Sequence, residues 1–126
     1  MEALIIKKTE DTPAVHLDKN EGVFEFSGKS LPEDVTSFYG PVFDWIAQYS
    51  EAPNTITKVV FKMTYFNTAS SKIILDILMK LEEIQEAGNE ILIEWHYEED
   101  DEDMLEAGED YQAIINIPFK MVQVSE

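Results

Sequence analysis

One strand-to-helix segment constrains the fold of this chain more than any other part of the sequence. The run TKVVFKMTYF (57–66) is rich in β-branched and aromatic residues, which favours a central strand. It passes through NTASSK (67–72) into IILDILMKLEEI (73–84), whose apolar residues recur at helical spacing. We predict a helix from about residue 68 to residue 86, ended by Gly88. A strand that leads directly into a long amphipathic helix is typical of α/β domains.

The rest of the chain repeats this alternation. Three runs near the N-terminus predict strands, ALIIK, AVHL and GVFEFSG, and the turn DKNEG joins the last two as an antiparallel hairpin. The runs EILIEWHY (90–97) and IPFKMVQV (117–124) predict two later strands. Because strands separated by helices pair in parallel, we predict one α/β domain over residues 1–126, with a mixed β-sheet and helices packed mainly on one face.

Another helix is predicted to begin in the run SLPED. Ser30 and Glu33 have the spacing of a capping box, with Pro32 in the first turn. The apolar stripe that follows comprises Val35, Phe38, Val42, Ile46 and Tyr49. Pro41 lacks an N–H group and clashes with the preceding turn, so we expect a kink or a break at this proline and the glycine before it.

Two aromatic residues of the same helix, Tyr39 and Trp45, fall partly off the apolar stripe. One interpretation places them in the core or at its edge, together with Phe38, Phe43 and Tyr49. The other interpretation is that they form an exposed patch for a partner protein. The sequence leaves both interpretations open.

The charge balance limits the partners that this chain can bind. Nine lysines, no arginine and 26 acidic residues give a net charge of −17. Such a charge repels nucleic acids and anionic membrane surfaces. The missing guanidinium groups also argue against a nucleotide-binding enzyme, because arginine is the preferred clamp for phosphates. A basic protein partner remains compatible with this charge.

The cysteine count and the hydropathy narrow the class of protein further. The chain has no cysteine, which excludes disulfides, thiolate metal sites and cysteine nucleophiles. We find no secretory segment and no apolar run of membrane-spanning length, so we expect a cytoplasmic protein without membrane contact.

No motif in the sequence predicts a catalytic, metal or cofactor site. His16 and His96 are the only histidines, and they lie in different predicted strands without an acidic ligand at a fitting spacing. A glycine-rich phosphate loop is absent, and no Ser/His/Asp set stands out. The run from Glu98 to Asp110 holds nine carboxylates in thirteen residues but lacks the glycine of an EF-hand loop. It is open to three interpretations: a solvated helix start, a docking patch for a basic partner, or a divalent-cation site.

The NTASSK stretch carries more polar side chains than a helix cap needs. Asn67 or Thr68 is expected to cap the helix by accepting free backbone N–H groups. Ser70 and Ser71 are tolerable in a first turn. Lys72 is a cation near the N-terminus of the helix, where the dipole disfavours positive charge unless an anion lies nearby. A phosphate on Thr68 would be such an anion, because helix N-termini favour negative charge.

The helical wheel adds a candidate docking surface. Ile73, Ile74, Ile77, Leu78, Leu81 and Ile84 form an apolar arc that we expect to face the sheet. Leu75 and Met79 fall outside this arc, on the side of Thr68 and Lys72, with Glu82 and Glu86 beyond. We predict that Leu75 and Met79 contact a partner protein, unless the helix is buried more broadly.

Two families resemble this chain. The strand–NTASSK–helix arrangement is similar to STAS domains of anti-sigma-factor antagonists, whose regulatory serine lies in a D-S-S-G-like sequence at this junction; here Asn replaces Asp and Ser replaces Gly. The chain more closely resembles the SiaC family of regulatory phosphoproteins, which have a STAS-like fold. The blocks that carry this resemblance are TPAV (12–15), GKSLPED (28–34), FYGPVFDWIAQY (38–49), YFNTASSK (65–72) and WHYEEDDEDMLEAGEDY (95–111).

The SiaC resemblance implies a non-catalytic phosphoprotein with a STAS-like mixed sheet. It implies that a protein kinase of the histidine-kinase-like ATPase type phosphorylates Thr68, and that a PP2C-type phosphatase removes the phosphate. It further implies that the unphosphorylated protein binds and activates a diguanylate cyclase, which raises cyclic di-GMP and promotes biofilm formation. The alternatives are an anti-sigma-factor antagonist and, from another class, a small enzyme or ligand-binding domain.

Overall fold

The strands of the sheet lie in the same order as in the sequence. The computed structural model describes residues 1–125 and contains a six-stranded sheet and three helices in that part of the chain. The elements are β1 (Leu4–Ile6), β2 (Ala14–Asp18), β3 (Val23–Ser30), α1 (Val35–Tyr49), β4 (Ile56–Phe66), α2 (Thr68–Glu86), β5 (Glu90–Glu98), α3 (Glu102–Ile114) and β6 (Phe119–Val124).

The sheet is mixed, as predicted. Strands β1, β2 and β3 pair antiparallel, whereas β3, β4, β5 and β6 pair parallel. Each parallel pair is connected through a helix, which follows from the length that a parallel crossover needs. The predicted mixed α/β fold is confirmed.

The core lies between one face of the sheet and the helices. Burial alternates along β3, β4 and β5, so that Phe26, Phe61 and Trp95 are buried on the helix side. The opposite face mixes charged and apolar side chains and carries ion pairs, such as Lys62 with Glu25 at 3.0 Å. The prediction that the helices pack mainly on one face is therefore confirmed.

A β-bulge changes the alternation just before α2. Met63 pairs with Gly28, but the next pair joins Tyr65 to Lys29, so Thr64 is an extra residue in β4. After the bulge, Tyr65 is 54% exposed, whereas Phe66 packs against the core. The bulge thus turns the end of β4 before the chain enters α2.

The start of α1 differs from the prediction. Ser30 does not cap this helix: it is the last residue of β3 and is buried. The N-cap is Asp34, whose side chain accepts a hydrogen bond from Ser37 N at 3.1 Å. The capping-box spacing was misleading because parallel pairing with β4 continues β3 through Ser30, which is paired with Phe66.

Of the kink or break predicted at Pro41, the break is wrong. The helix runs from Val35 to Tyr49 through Pro41. Tyr39 and Trp45, which the wheel placed partly off the stripe, are both buried. The core interpretation of the aromatic set is therefore correct for these two residues, because Tyr39 contacts Ser30 and Trp45 packs against Phe24, both in β3, while α1 also contacts α2.

Helix α2 has the predicted bounds, Thr68–Glu86, followed by Gly88 at φ +110°. Its buried residues include Ile74, Ile77 and Leu81 from the predicted arc. The acidic run holds the start of α3, with Asp101 as N-cap. None of the helices in residues 1–125 combines the length and apolar character needed to cross a bilayer.

Candidate functional site

The cap of α2 is Asn67. Its backbone is extended, and its side-chain Oδ1 accepts a hydrogen bond from Ser70 N at 2.8 Å. Its carbonyl oxygen accepts from Ser71 N at 2.9 Å, and its own N–H donates to the Ser30 carbonyl oxygen at 3.2 Å. The sequence left Asn67 and Thr68 as equal candidates for the cap; because Asn67 fills this role, the Thr68 side chain is not needed for it.

Thr68 is the first residue of α2, and its side chain is exposed. Within residues 1–125, no hydrogen bond engages its hydroxyl, and none engages the backbone N–H of Thr68 or Ala69. An uncommitted hydroxyl therefore lies beside free N–H groups at the positive end of a 19-residue helix. This is a favourable position for a negatively charged group.

The two serines of the first turn are already engaged. Ser70 is fully buried, and its hydroxyl donates to the Ser30 carbonyl oxygen at 3.0 Å. Ser71 is half-buried, and its hydroxyl donates to the Thr68 carbonyl oxygen at 2.7 Å. Of the three hydroxyl groups in NTASSK, only that of Thr68 is both exposed and unbonded in the described structure.

Lys72 lies one helical turn after Thr68 and is exposed. Among the described residues it forms no ion pair, in contrast to Lys80 on the same helix, which lies 3.5 Å from Glu83. The helix dipole disfavours the Lys72 ammonium group at this position. An anion at the start of the helix, one turn away, would offset that unfavourable interaction.

The predicted strip along α2 is present but is not uniform. Thr68, Lys72 and Met79 face solvent, and 48% of Met79 is exposed. Leu75 lies at the border, because it is half-buried and packs against the core. Glu82, further along, accepts a hydrogen bond from Asn116 N at 2.6 Å and so supports the α3–β6 connection. The apolar part of the exposed strip is therefore Met79 with one edge of Leu75.

Three residues that hold this site were missed by sequence reasoning. The hydroxyl of Ser30 lies 2.6 Å from Tyr39 Oη and 2.8 Å from Ser70 Oγ. The hydroxyl of Tyr111, on α3, donates to the Ser71 carbonyl oxygen at 2.7 Å. Burial raises the pKa of both tyrosines, so both hydroxyls stay protonated. The sequence offers one signal for Tyr39 and Tyr111: each is a tyrosine, where phenylalanine would fill a buried helical position equally well. A buried hydroxyl needs a hydrogen-bond partner, so its presence points to one.

The other candidate groups are separated or committed. The two histidines lie in β2 and β5, and His96 Nε2 is 2.8 Å from a Glu94 carboxylate oxygen. A cleft of about 440 Å³ opens where β4 and β5 separate, and His96, Glu98 and Asp101 line it. Asp101, however, is the cap of α3 and accepts from Met104 N at 3.0 Å.

Two interpretations of the acidic run can be compared with this geometry. Asp101 with Glu102 and Asp103 forms an acidic first turn of α3, as expected for a solvated helix start. No group of three or more His, Asp or Glu side chains in residues 1–125 is arranged to hold a metal ion. The run therefore supplies the cap and the first turn of α3. The described residues provide no cluster for a divalent cation.

Comparisons of the sequence with known proteins identify a family model and a relative that match nearly the whole chain. The family model described as SiaC family regulatory phosphoprotein matches residues 6–124. An uncharacterized protein of Pseudomonas aeruginosa (strain UCBPP-PA14) is 31% identical over 119 residues, which are 94% of each chain.

Solved structures give the same result. SiaC of Pseudomonas aeruginosa matches with a TM-score of 0.89 at 28% identity, over 98% of this chain and 100% of that chain. The crystal structure of diguanylate cyclase SiaD in complex with its activator SiaC, from the same organism, contains a chain that matches with a TM-score of 0.89 at 30% identity, over 96% and 99%. With a family model that spans nearly all of its length, and with a phosphate-compatible helix start at α2, the chain belongs to the SiaC family of regulatory phosphoproteins.

Proposed function

We propose that this protein is a non-catalytic switch, in which reversible phosphorylation of Thr68 controls binding to a diguanylate cyclase. The observation that carries the proposal is the state of the Thr68 hydroxyl: it is exposed and unbonded in residues 1–125, whereas Ser70 and Ser71 are engaged. A kinase therefore reaches Thr68 without first breaking a hydrogen bond of the fold.

The partner is proposed from family membership together with the exposed strip. A relative in this family is described as the activator of diguanylate cyclase SiaD, in whose complex the matching chain is seen. In this chain, Thr68, Lys72 and Met79 form an exposed surface along α2, with Leu75 at its edge. An apolar side chain between charged neighbours suits a protein interface whose centre is apolar and whose rim is polar.

Phosphorylation would act on this surface through charge. A phosphate adds nearly two negative charges at pH 7 and three acceptor oxygens. The free N–H groups of Thr68 and Ala69, and the ammonium of Lys72, stabilise it on the protein. The same phosphate repels acidic partner groups and must be desolvated before a partner can cover the strip. The phosphorylated form thus folds normally but does not bind the cyclase.

The remaining components follow from the same family resemblance. We infer a protein kinase of the histidine-kinase-like ATPase type, a PP2C-type phosphatase, and a circuit in the cytoplasm that raises cyclic di-GMP when the protein is unphosphorylated. The protein itself supplies the acceptor hydroxyl and the docking surface and carries out no catalysis.

The acceptor is tested by phosphorylation with a protein kinase of the histidine-kinase-like ATPase type, in the presence of ATP and Mg²⁺. Intact-mass measurements should show one added phosphate on wild type and on Ser71→Ala, and none on Thr68→Ala. Ser71→Ala is the matched control because it removes a neighbouring hydroxyl of the same turn. Equal phosphate uptake by Thr68→Ala would exclude Thr68 as the acceptor.

The docking surface is tested by cyclase binding and cyclic di-GMP synthesis. Thr68→Asp and Met79→Lys should each abolish activation, the first by charge and the second by loss of an apolar contact. Ile56→Lys is the control, since Ile56 is also exposed, at 62%, but lies at the start of β4. Retained activation by Thr68→Asp would refute the charge mechanism. Equal losses of cyclase activation in Met79→Lys and Ile56→Lys would refute the assignment of the strip as the docking surface.

A further inference from the structure

The first turn of α2 is held on two sides by buried tyrosine hydroxyls. Tyr39 of α1 reaches this turn through Ser30 and Ser70, and Tyr111 of α3 bonds it directly at Ser71. We propose that Tyr39 and Tyr111 are positioning residues for phosphoryl transfer to Thr68. This inference rests on the proposed function, since it concerns the same acceptor.

The contact from α1 is a directed chain of hydrogen bonds. The single hydroxyl proton of Ser30 is donated to Ser70 Oγ at 2.8 Å, so Tyr39 must be the donor in its 2.6 Å contact with Ser30. Ser70 in turn donates to the Ser30 carbonyl oxygen at 3.0 Å. Every member is buried, with Ser30 and Ser70 at 0% and Tyr39 at 1% exposure. A fully satisfied network in such surroundings fixes one geometry, because each broken bond leaves a polar atom without water.

The contact from α3 is independent of the first. Tyr111 donates to the Ser71 carbonyl oxygen at 2.7 Å, and its ring packs edge-on against Trp95, with centroids 5.5 Å apart. Ser71 is also the residue whose hydroxyl bonds the Thr68 carbonyl oxygen, at 2.7 Å. The Tyr111 bond therefore fixes the turn at a residue that is itself bonded to the acceptor residue.

These two contacts explain how a folded helix start can serve as a phosphoacceptor. Phosphoryl transfer depends almost entirely on positioning, because the acceptor oxygen must lie in line with the leaving group. A flexible acceptor segment loses conformational entropy when the kinase orders it. Here the backbone of residues 67–71 is already ordered by the fold, and the hydroxyl of Thr68 is left free to react.

The test compares three Tyr→Phe variants, each of which removes one buried hydroxyl. Tyr39→Phe and Tyr111→Phe remove the two positioning contacts. Tyr49→Phe is the matched control: Tyr49 is buried at the other end of α1, where its hydroxyl lies 2.7 Å from Thr57 Oγ1 and accepts from Asn54 N at 3.0 Å. It loses comparable hydrogen bonding, but the partners of its hydroxyl, Thr57 and Asn54, lie outside α2. Ser70→Ala serves as a second break in the Tyr39 chain if Tyr39→Phe does not fold.

Two readouts are measured: amide hydrogen exchange of residues 70–72 in the free protein, and kcat and KM for phosphorylation by the ATPase named above. We expect exchange of these amides to be about three- to tenfold faster in Tyr39→Phe and Tyr111→Phe. We expect kcat to fall about three- to tenfold with KM little changed, because alignment is needed in the transition state, whereas both substitutions change buried side chains and leave the exposed surface as it is. Tyr49→Phe should match wild type in both.

Unchanged exchange and unchanged kcat in both positioning variants would overturn the proposal. Equal effects in Tyr49→Phe would also overturn it, since they would reflect general destabilisation. The two proposals fail separately. If wild type takes up no phosphate on Thr68, the proposed function fails, while amide exchange, which needs no kinase, still decides whether the tyrosines order this turn.

Discussion

Ser30 and Ser70 bond each other in both directions across forty residues of sequence: the Ser30 hydroxyl donates to Ser70 Oγ, and the Ser70 hydroxyl donates to the Ser30 carbonyl oxygen. This pair joins the end of β3 to the first turn of α2. It also separates the roles of two hydroxyls that are only two residues apart, since Ser70 is structural and Thr68 is free.

The first prediction concerns stability. Ser70→Ala should lower the free energy of unfolding by ~1–3 kcal/mol, because it leaves the buried Ser30 hydroxyl without an acceptor. Thr68→Ala should change it by less than ~0.5 kcal/mol, as expected for an exposed side chain without hydrogen bonds. Urea denaturation monitored by circular dichroism measures both. A larger loss in Thr68→Ala than in Ser70→Ala would contradict the assignment of these roles.

The second prediction concerns the packing of α3 on the sheet. A Cβ atom added at Gly108 would lie 2.5 Å from Trp95 Cδ1 and 2.7 Å from Met121 Cε. Gly108→Ala should therefore push α3 away from the sheet and cost ~1–3 kcal/mol of stability. The bond from Trp95 Nε1 to the Met104 carbonyl oxygen, 2.9 Å long, should weaken, which tryptophan fluorescence would report together with the denaturation midpoint.

Gly40→Ala is the control for this substitution. Gly40 also lies within a helix, but nothing lies within 4 Å of the position that its Cβ would occupy. Alanine has the higher helix propensity, so this variant should gain ~0.5–1 kcal/mol of stability. Equal losses in the two variants would show that the Trp95 contact is not the cause.

The third prediction is a pH dependence on the open face of the sheet. The hydrogen bond from His96 holds the pKa of Glu94 below its usual value, and Lys58, 3.6 Å away, adds to this effect. A carboxylate with a depressed pKa in the folded state stabilises the fold above its unfolded pKa, and this stabilisation is lost as the pH falls through the folded value. Glu94→Gln should therefore be less stable than wild type at pH 6, and the difference should shrink below about pH 4. Denaturation midpoints that differ equally at pH 6 and pH 3 would contradict this.

The fourth prediction concerns the phosphorylated protein. The helix start and the Lys72 ammonium favour the dianionic form of a phosphate on Thr68, so they lower its second pKa. Lys72→Gln should raise that pKa, which ³¹P NMR titration measures directly. Lys80→Gln is the control, because Lys80 lies on the same helix, further from Thr68, and pairs with Glu83. The same pKa in both variants would place Lys72 out of reach of the phosphate.

Much of this architecture follows from local patterns. The bounds of α2 follow from Asn67, which supplies a cap, and from Gly88, which adopts the positive φ that ends the helix. The arc from Ile74 to Ile84 faces the core because its spacing matches the helical repeat. The blocks that carry the SiaC resemblance lie between residues 12 and 111, and the family model matches residues 6–124.

The errors arose where distant segments meet. Ser30 has the spacing of a cap, yet it is the last residue of β3, because pairing with Phe66 continues the strand. Pro41 did not end α1, because the helix contacts β3 on both sides of it, through Tyr39 before and Tyr49 after the proline. The burial of Tyr39 and Trp45 likewise depended on neighbours that the helical wheel does not include.

The sequence by itself determined the order of strands and helices and the bounds of α2, because periodicity, caps and turns act over a few residues. Its resemblance to the SiaC family rested separately on the blocks of residues quoted above. Tertiary structure decided that the Ser70 hydroxyl is engaged, whereas the Ser71 hydroxyl is engaged locally, by the Thr68 carbonyl oxygen. Parallel pairing of β3 with β4 brings Ser30 to Ser70, and packing of α3 brings Tyr111 to Ser71. These partners lie forty residues away in each case, so no local pattern predicts that Ser70 is structural while Thr68 is free.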